Sequence, residues 1–442
     1  MGSYVPDLPK LYIETPCIPS QELSRIAGCN IFLKLENLQP SGSFKSRGIG
    51  TLMSHALLSS SSSSTTGGGG QGAGAARFYC SSGGNAGLAC AEAARALRRP
   101  CDVFLPQSTP DLVLARLALL GATPHRAGDS WPEADAACRE AVARDPDGVY
   151  VPPFDDPEIW NGNASLVDEL AALDASGFFA AGKEEEEAGE GEGSRRGRGI
   201  DAIVCNVGGG GLLNGIMEGI ERNYGPPPPP PSHANDVANG HDDRNGHSSS
   251  GHHRRRPRVL AIETAGADSL AACIQAGAHV AIPAITSVAT TLGAPRVSAE
   301  TYRWAKVCGA TTVVTTTTTT TTTSSFPSSA SASPPVLVNK AARRPSHNSP
   351  PPPPPPLLSA VVSDADAVSA CARFLDDARL LVEVSCGATL SSVYNPGLLR
   401  TALGGAGEID ESWRRMNVVL VVCGGSSISM DMLAKYRLKF GV

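Results

Sequence analysis

The sequence predicts an α/β protein with two domains built on open parallel sheets and four low-complexity loop inserts. Three observations lead there. Short apolar runs alternate with longer Ala/Leu-rich stretches, the pattern of βαβ units. Three glycine-rich turns each follow an apolar run, and in such folds ligands collect at the carboxyl ends of strands. The segments that interrupt the alternation are Ser, Gly, Glu, Thr and Pro tracts, which bury too little apolar surface to offset the entropy of ordering them.

The strand candidates are Ile31–Leu35, Arg77–Cys80, Cys101–Leu105, Ala202–Val207, Val259–Glu263 and Val418–Val422. Helical composition and spacing mark Ala86–Leu97, Leu112–Leu120, Glu133–Ala143 and Leu212–Arg222. The inserts are 59–76, 183–199, 225–257 and 315–356, read as disordered embellishments between elements, where added length costs little. Without them roughly 330 residues remain, a fair size for two domains sharing a cleft. The smaller domain is expected at 39–152, and the larger one at 1–38 joined to 153–442.

Composition excludes several classes. A net charge of −6 argues against a nucleic-acid partner, and Arg254–Arg256 reads as a solvated cluster within an insert. The twelve cysteines show no CxxC or Cys/His ligand spacing, so neither zinc nor a disulfide framework is indicated, and free thiols imply a reducing compartment. "MGSYVPDLPK" has no hydrophobic signal core and no apolar run approaches membrane-span length. A cytoplasmic protein without a membrane partner is the expectation. Five of the nine histidines lie in the third insert, a polar tract.

Lys45, in "SGSFKSRGIG", follows Phe44 among Ser and Gly. Against an aromatic ring it would lose solvation, which lowers its pKa and leaves more free amine to attack an aldehyde. The turn "SSGGN" (81–85) opens a helix whose N–H groups suit an anion such as a carboxylate; an ordinary turn with Asn85 as N-cap fits equally. In "IVCNVGGGGLLNGI" the four glycines suit a single phosphate at a helix start, or close helix–sheet packing. Cys423, at the tip of "VVLVVCGG", either faces a ligand or is a buried inert thiol. A lysine, a phosphate cradle, a carboxylate cradle and a polar strand tip together point to pyridoxal 5'-phosphate held as a Schiff base.

"QPSGSFKSRGIG", "SSGGNAGLA", "PPFDDPEIWNG", "VGGGGLLNGI", "ITSVATTLG" and "VVCGGSSIS" occur in the order seen in serine/threonine dehydratases. The chain resembles that family, part of the fold-type II pyridoxal-phosphate enzymes similar to the tryptophan synthase β chain. The likeness spans nearly everything outside the inserts. It implies β-elimination of L-serine to pyruvate and ammonia and of L-threonine to 2-oxobutyrate. Lys45 would form the Schiff base and move the Cα proton. Phe44 and Thr291 would flank the ring, Asn85 would bond its 3′-oxygen, and Gly208, Gly209, Gly210, Gly211 and Leu212 would hold the phosphate. Ser82, Gly83, Gly84, Asn85 and Ala86 would grip the substrate carboxylate. Cys423 would face the pyridine nitrogen as a weak donor, which suits elimination over transamination. Glu263, with the carbonyls of Ala267, Leu292 and Ala294, would bind a monovalent cation, potassium; without the resemblance Glu263 reads as a strand-end carboxylate in a surface pair. Relatives are commonly homodimers.

Two departures stand out. "EVSCGAT" (383–389) replaces the relatives' "EPACGAA", and "WNGN" (160–163) replaces "WEGH", which bears on local packing and substrate closure. Gly83 is alanine in some relatives, so Gly83→Ala is expected to alter kcat more than cofactor content. Ser46 argues against threonine and cysteine synthases, which carry Asp after the lysine. Ser82, as a second acid–base group, keeps racemisation open, so a serine racemase-like enzyme is one alternative. A cofactor-binding relative without turnover is the other.

Overall fold

The structure, a computed structural model, describes residues 9–62, 76–180, 199–225, 255–313, 356–395, 397–404 and 410–442. Eleven strands form two sheets among these residues. In chain order they are β1 (Cys17–Pro19), β2 (Asn30–Lys34), β3 (Arg77–Cys80), β4 (Cys101–Leu105), β5 (Thr123–Arg126), β6 (Gly148–Tyr150), β7 (Ala202–Asn206), β8 (Arg258–Thr264), β9 (Thr311–Val313), β10 (Leu357–Val362) and β11 (Asn417–Val421). The larger sheet runs β1-β2-β11-β7-β8-β10-β9, parallel except for β1 against β2. The smaller runs β5-β4-β3-β6, all parallel.

The central strands read AIVCN, RVLAIET, LLSAVV and NVVLV. Nearly continuous β-branched and apolar runs are what a parallel strand covered on both faces requires. Each sheet has its own hydrophobic core, one containing Val204, Leu260, Phe374 and Leu420, the other Phe78, Val103, Leu105 and Leu117.

The six expected strands lie within one residue of β2, β3, β4, β7, β8 and β11 at either end. The four expected helices correspond to Asn85–Leu97, Asp111–Leu119, Trp131–Arg144 and Gly211–Tyr224. The strands not anticipated are mostly short edge pieces; β10 is long and buried but abuts a proline run that hides it. One boundary is corrected. The helix Lys45–Ser62 continues through the first four residues assigned to the first insert, because the Ser run simply extends a helix already nucleated. Apart from such edges, the four inserts lie outside the described residues. Among those described, no helix is long and apolar enough to cross a membrane.

Candidate active site

A cavity of about 750 Å³ opens where the carboxyl ends of β3, β7 and β11 and the start of the helix Lys45–Ser62 meet. Its size suits a cofactor together with a small substrate. Lys45 is enclosed by the fold but faces the cavity, and its Nζ donates to Pro153 O at 2.5 Å, 5.3 Å from the Phe44 ring centroid. Burial lowers its pKa to about 8, against opposing pulls from Cys80, Glu383 and Cys423.

The lysine is placed by two attachments. Phe44 N donates to Cys423 O at 3.1 Å and Gly425 N to Gly42 O at 2.9 Å, docking its loop onto the tip of β11. Two residues on, Arg47 is fully buried and forks onto Glu36 and Glu169, the latter also held by Lys34. Burial disfavours the charged guanidinium, but the two carboxylates more than offset it and raise its pKa.

The turn after β3 brings Ser82, Gly83, Gly84, Asn85 and Ala86 to the cavity wall. The helix cap there is Gly84, not Asn85. Asn85 is the first helical residue and its amide is engaged elsewhere: Nδ2 donates to Glu383 Oε1 at 2.8 Å, and Oδ1 accepts from Ser426 N at 3.0 Å. The turn is supported from behind by Trp131, whose Nε1 donates to Ser81 O at 2.7 Å, and by Asp135, which accepts from Ser81 Oγ and Tyr150 OH.

Gly208, Gly209, Gly210, Gly211 and Leu212 line the opposite wall. Both readings of the glycine run find support in its geometry. Missing Cβ atoms face Leu292, Phe154 and Thr301; at Gly210, with φ +96°, a Cβ would lie 1.8 Å from Thr301 Oγ1. Among the described residues the N–H groups of Gly208, Gly209 and Gly210 have no hydrogen-bond partner, and they lead into the open first turn of the helix Gly211–Tyr224. Uncapped donors at a helix start fit a phosphate.

Cys423 is buried and lines the cavity, so burial and a ligand-facing position coexist. Asn206 Nδ2 donates to its Sγ at 3.1 Å. Its neighbour Cys386 and burial hold its pKa well above the usual thiol range, so it stays protonated. Thr291, Leu292 and Ala294 also line the cavity.

Glu263 is not in a surface pair. It is fully buried on β8, and its two oxygens accept the N–H groups of Leu270 and Ala271 at 2.7 and 2.8 Å, at the start of the helix Ser269–Ala276. Burial raises its pKa to about 8, the two N–H bonds opposing. The carbonyl of Ala294 accepts no hydrogen bond among the described residues, whereas Ala267 pairs with Thr264 in an isolated antiparallel bridge and the carbonyl of Leu292 accepts Ala294 N at 2.7 Å.

A profile of the family described as pyridoxal-phosphate dependent enzyme matches residues 8–323, more than half of the chain. The chain belongs to the pyridoxal-phosphate dependent enzymes. Within that family it is similar to mouse L-serine dehydratase/L-threonine deaminase, at 33% identity over 98% of this chain and 97% of that protein. Mouse serine dehydratase-like protein is 34% identical over 97% of this chain and 94% of its own length. Among solved structures, a fungal L-serine ammonia-lyase from Rhizomucor miehei superposes with a TM-score of 0.67 at 26% identity, covering 97% of this chain and 99% of that one.

The two departures from the family motifs have structural accounts in this pyridoxal-phosphate dependent enzyme. Asn163 is buried and bridges the lysine's helix and the glycine run: its Oδ1 accepts from Gly48 N at 3.1 Å and its Nδ2 donates to Gly211 O at 3.0 Å. Asn161 is an exposed partner of Arg222. Val384 is packed in the core, and Ser385 Oγ donates to Glu383 Oε1 at 2.5 Å. Pro153, Trp131, Asn206 and Glu383 line the cavity without having been singled out in the sequence. Pro153, Asn206 and Glu383 each stand within a quoted motif, whereas Trp131 carried no signal.

Proposed function

We propose that this enzyme is an L-serine ammonia-lyase that also takes L-threonine, converting them to pyruvate and 2-oxobutyrate with release of ammonia. The observation that carries the reading is the joint presence, around one cavity, of a half-buried lysine with its pKa lowered to about 8, uncapped helix-start N–H groups and a protonated thiol. The relatives' names supply the substrate class.

The residues fit pyridoxal 5'-phosphate. Lys45 would hold its aldehyde, Gly208 to Leu212 its phosphate, Asn85 its 3′-oxygen, Phe44 and Thr291 its faces, and Cys423 its ring nitrogen. When bound, the cofactor supplies the electron sink for the pair left on Cα. The chain's residues do the rest. The N–H groups and hydroxyl of Ser82 to Ala86 bind the substrate carboxylate and orient the Cα–H bond. Lys45 Nζ, free amine in part at neutral pH, takes the Cα proton as the β-hydroxyl departs. Cys423, a protonated thiol and weak donor, would face the ring nitrogen of the bound cofactor without protonating it, which would favour loss of the β-substituent. Water lost in elimination is regained when the product hydrolyses to keto acid and ammonia.

Purified protein with pyridoxal phosphate and potassium, assayed on L-serine, should give equal pyruvate and ammonia. D-serine formed from L-serine, with no keto acid, would favour a racemase instead; bound cofactor without either product would indicate a non-catalytic relative.

We read residues 39–152 as a smaller domain that closes over the site and excludes water, and 1–38 with 153–442 as the larger one. The two separate cores support this, although Ile159 joins the smaller core from beyond its boundary. Glu263 with the carbonyls of Ala267, Leu292 and Ala294 is our reading of the potassium site; the buried carboxylate supports it. All twelve cysteines are free and buried, consistent with a reducing cytoplasm, and the family likeness supports a homodimer.

Two expectations follow from the local geometry. A Cβ at Gly83 would meet the far end of the Leu105 side chain at 2.9 Å, which can move. Gly83→Ala should therefore change kcat for serine severalfold, about two to ten times, while absorbance of bound cofactor stays at the wild-type level. Because deprotonation of Lys45 generates the reactive amine, uptake of pyridoxal phosphate by the cofactor-free protein should accelerate about tenfold per pH unit below 8 and then level off. A stopped-flow profile that keeps climbing to pH ~10 would indicate a lysine with an ordinary pKa.

A further inference from the structure

One buried carboxylate in the cavity has no part in the reaction as derived. Glu383 is 4% exposed and makes no ion pair among the described residues. Its Oε1 accepts three donors: Asn85 Nδ2 at 2.8 Å, Thr291 Oγ1 at 2.6 Å and Ser385 Oγ at 2.5 Å. Its Oε2 faces Ser427 N at 3.4 Å. Those donors come from four places: the helix start after β3, the turn Thr290–Leu292, the start of the helix Val384–Tyr394 and the loop after β11. The β11 loop is shaped around the carboxylate. Gly425 has φ +118°, and a Cβ there would lie 1.9 Å from Glu383 Cδ.

The consequence is directional. Thr291 has one hydroxyl proton, and Glu383 takes it, so toward the cavity that oxygen can only accept. Asn85 gives one Nδ2 proton to Glu383 while Ser426 N occupies its Oδ1, so the amide cannot flip and one Nδ2 proton remains available.

We propose that Glu383 is a positioning residue that fixes the hydrogen-bonding directions of Asn85 and Thr291 toward the cofactor, and that Ser385 steadies the oxygen they share. This rests on the assignment of Asn85 and Thr291 to the cofactor made above. The network extends further: Ser385 O accepts Asn206 Nδ2, which also reaches Cys423 Sγ, linking the residues assigned to the two ends of the ring.

The test titrates cofactor-free wild type, E383A, E383Q and S385A with pyridoxal phosphate, following protein fluorescence and the absorption maximum of the bound form. Unfolding midpoints in urea are measured alongside. Leaving the side-chain donors of Asn85, Thr291 and Ser385 unmet should weaken binding by E383A roughly 10- to 100-fold and shift its absorption maximum. E383Q should recover most of both, because the glutamine carbonyl can accept the same donors. S385A, which removes one of three donors, should weaken binding about two- to fivefold. If E383A folds poorly, E383D replaces it: the shortened side chain should bind weakly with a near-normal urea midpoint, and tight binding would overturn the role. Wild-type affinity and spectrum in E383A would overturn it directly. A glutamine variant as poor as alanine would also overturn it, since charge rather than bond direction would then be the cause. Failure of the wild type to bind cofactor would remove the site reading and this inference together, whereas a normal wild type with unaffected variants removes this inference alone.

Discussion

Replacing Lys45 with alanine is expected to abolish formation of pyruvate and ammonia from L-serine, by at least about 10³-fold. The expectation has two independent parts. The amine proposed to hold the aldehyde disappears, and so does the proposed base at Cα; among the described residues no other lysine, and no histidine, lines the cavity. The fold should hardly notice. Lys45 is the first residue of the helix Lys45–Ser62, alanine is a good helix former, and the one hydrogen bond lost is to Pro153 O. A coupled assay for keto acid, with mass spectrometry after borohydride reduction, separates the parts. Wild type should gain the reduced cofactor's mass and the variant should not, while their urea midpoints agree. Turnover by the alanine variant within tenfold of wild type would remove Lys45 from the chemistry.

Arg47→Ala should instead strike stability, by about 3–5 kcal/mol. Four charges are gathered almost out of contact with water: Lys34 and Arg47 against Glu36 and Glu169. Arg47 bonds Glu36 through Nε at 2.7 Å and Nη2 at 2.8 Å, and Glu169 through Nη1 at 2.6 Å and Nη2 at 2.8 Å. Removing it leaves two buried carboxylates facing one lysine, an excess negative charge with several unmet acceptors. Lysine at this position keeps the charge but loses the two-sided fork, so Arg47→Lys should fall between alanine and wild type. The pH dependence has a definite sign. Burial works against ionised Glu169, but Arg47 and Lys34 prevail and its pKa is lowered, so its stabilisation is present at neutral pH and lost as pH falls through the carboxylate range. Urea unfolding of the three proteins at neutral and mildly acidic pH checks both statements. A loss below about 1 kcal/mol in Arg47→Ala would mean that water or side-chain rearrangement repairs the network. Because Arg47 lies two residues beyond Lys45, this salt-bridge cluster is also what ties the reactive lysine's helix to β2 and to the helix Pro157–Ala175.

These two residues mark the difference between what was readable in the chain and what was not. The Ser82–Ala86 turn, the Gly208–Gly211 run and Cys423 were legible because each follows its own strand within a few residues, and Lys45 because of its neighbours, Phe44 and the flanking Ser and Gly. Strand period, turn chemistry and helix-start donors are local properties, carried by neighbours in sequence, and they also sufficed for an α/β fold with parallel sheets. Arg47 and Gly48 were quoted as part of a motif, but their reason was hidden: the partners of Arg47 lie 11 and 122 positions away, and Gly48 makes room for Ile159. The role of Asn85 was misread in the plain alternative for the same reason, since its partner Glu383 is 298 residues distant and drew the amide away from the cap. The residues that form the turns and strands were therefore settled by the sequence itself. Which buried polar atoms face each other across the cavity was decided only by tertiary packing, because a hydrogen bond's direction and a buried charge's partner depend on segments that approach one another after both sheets have formed.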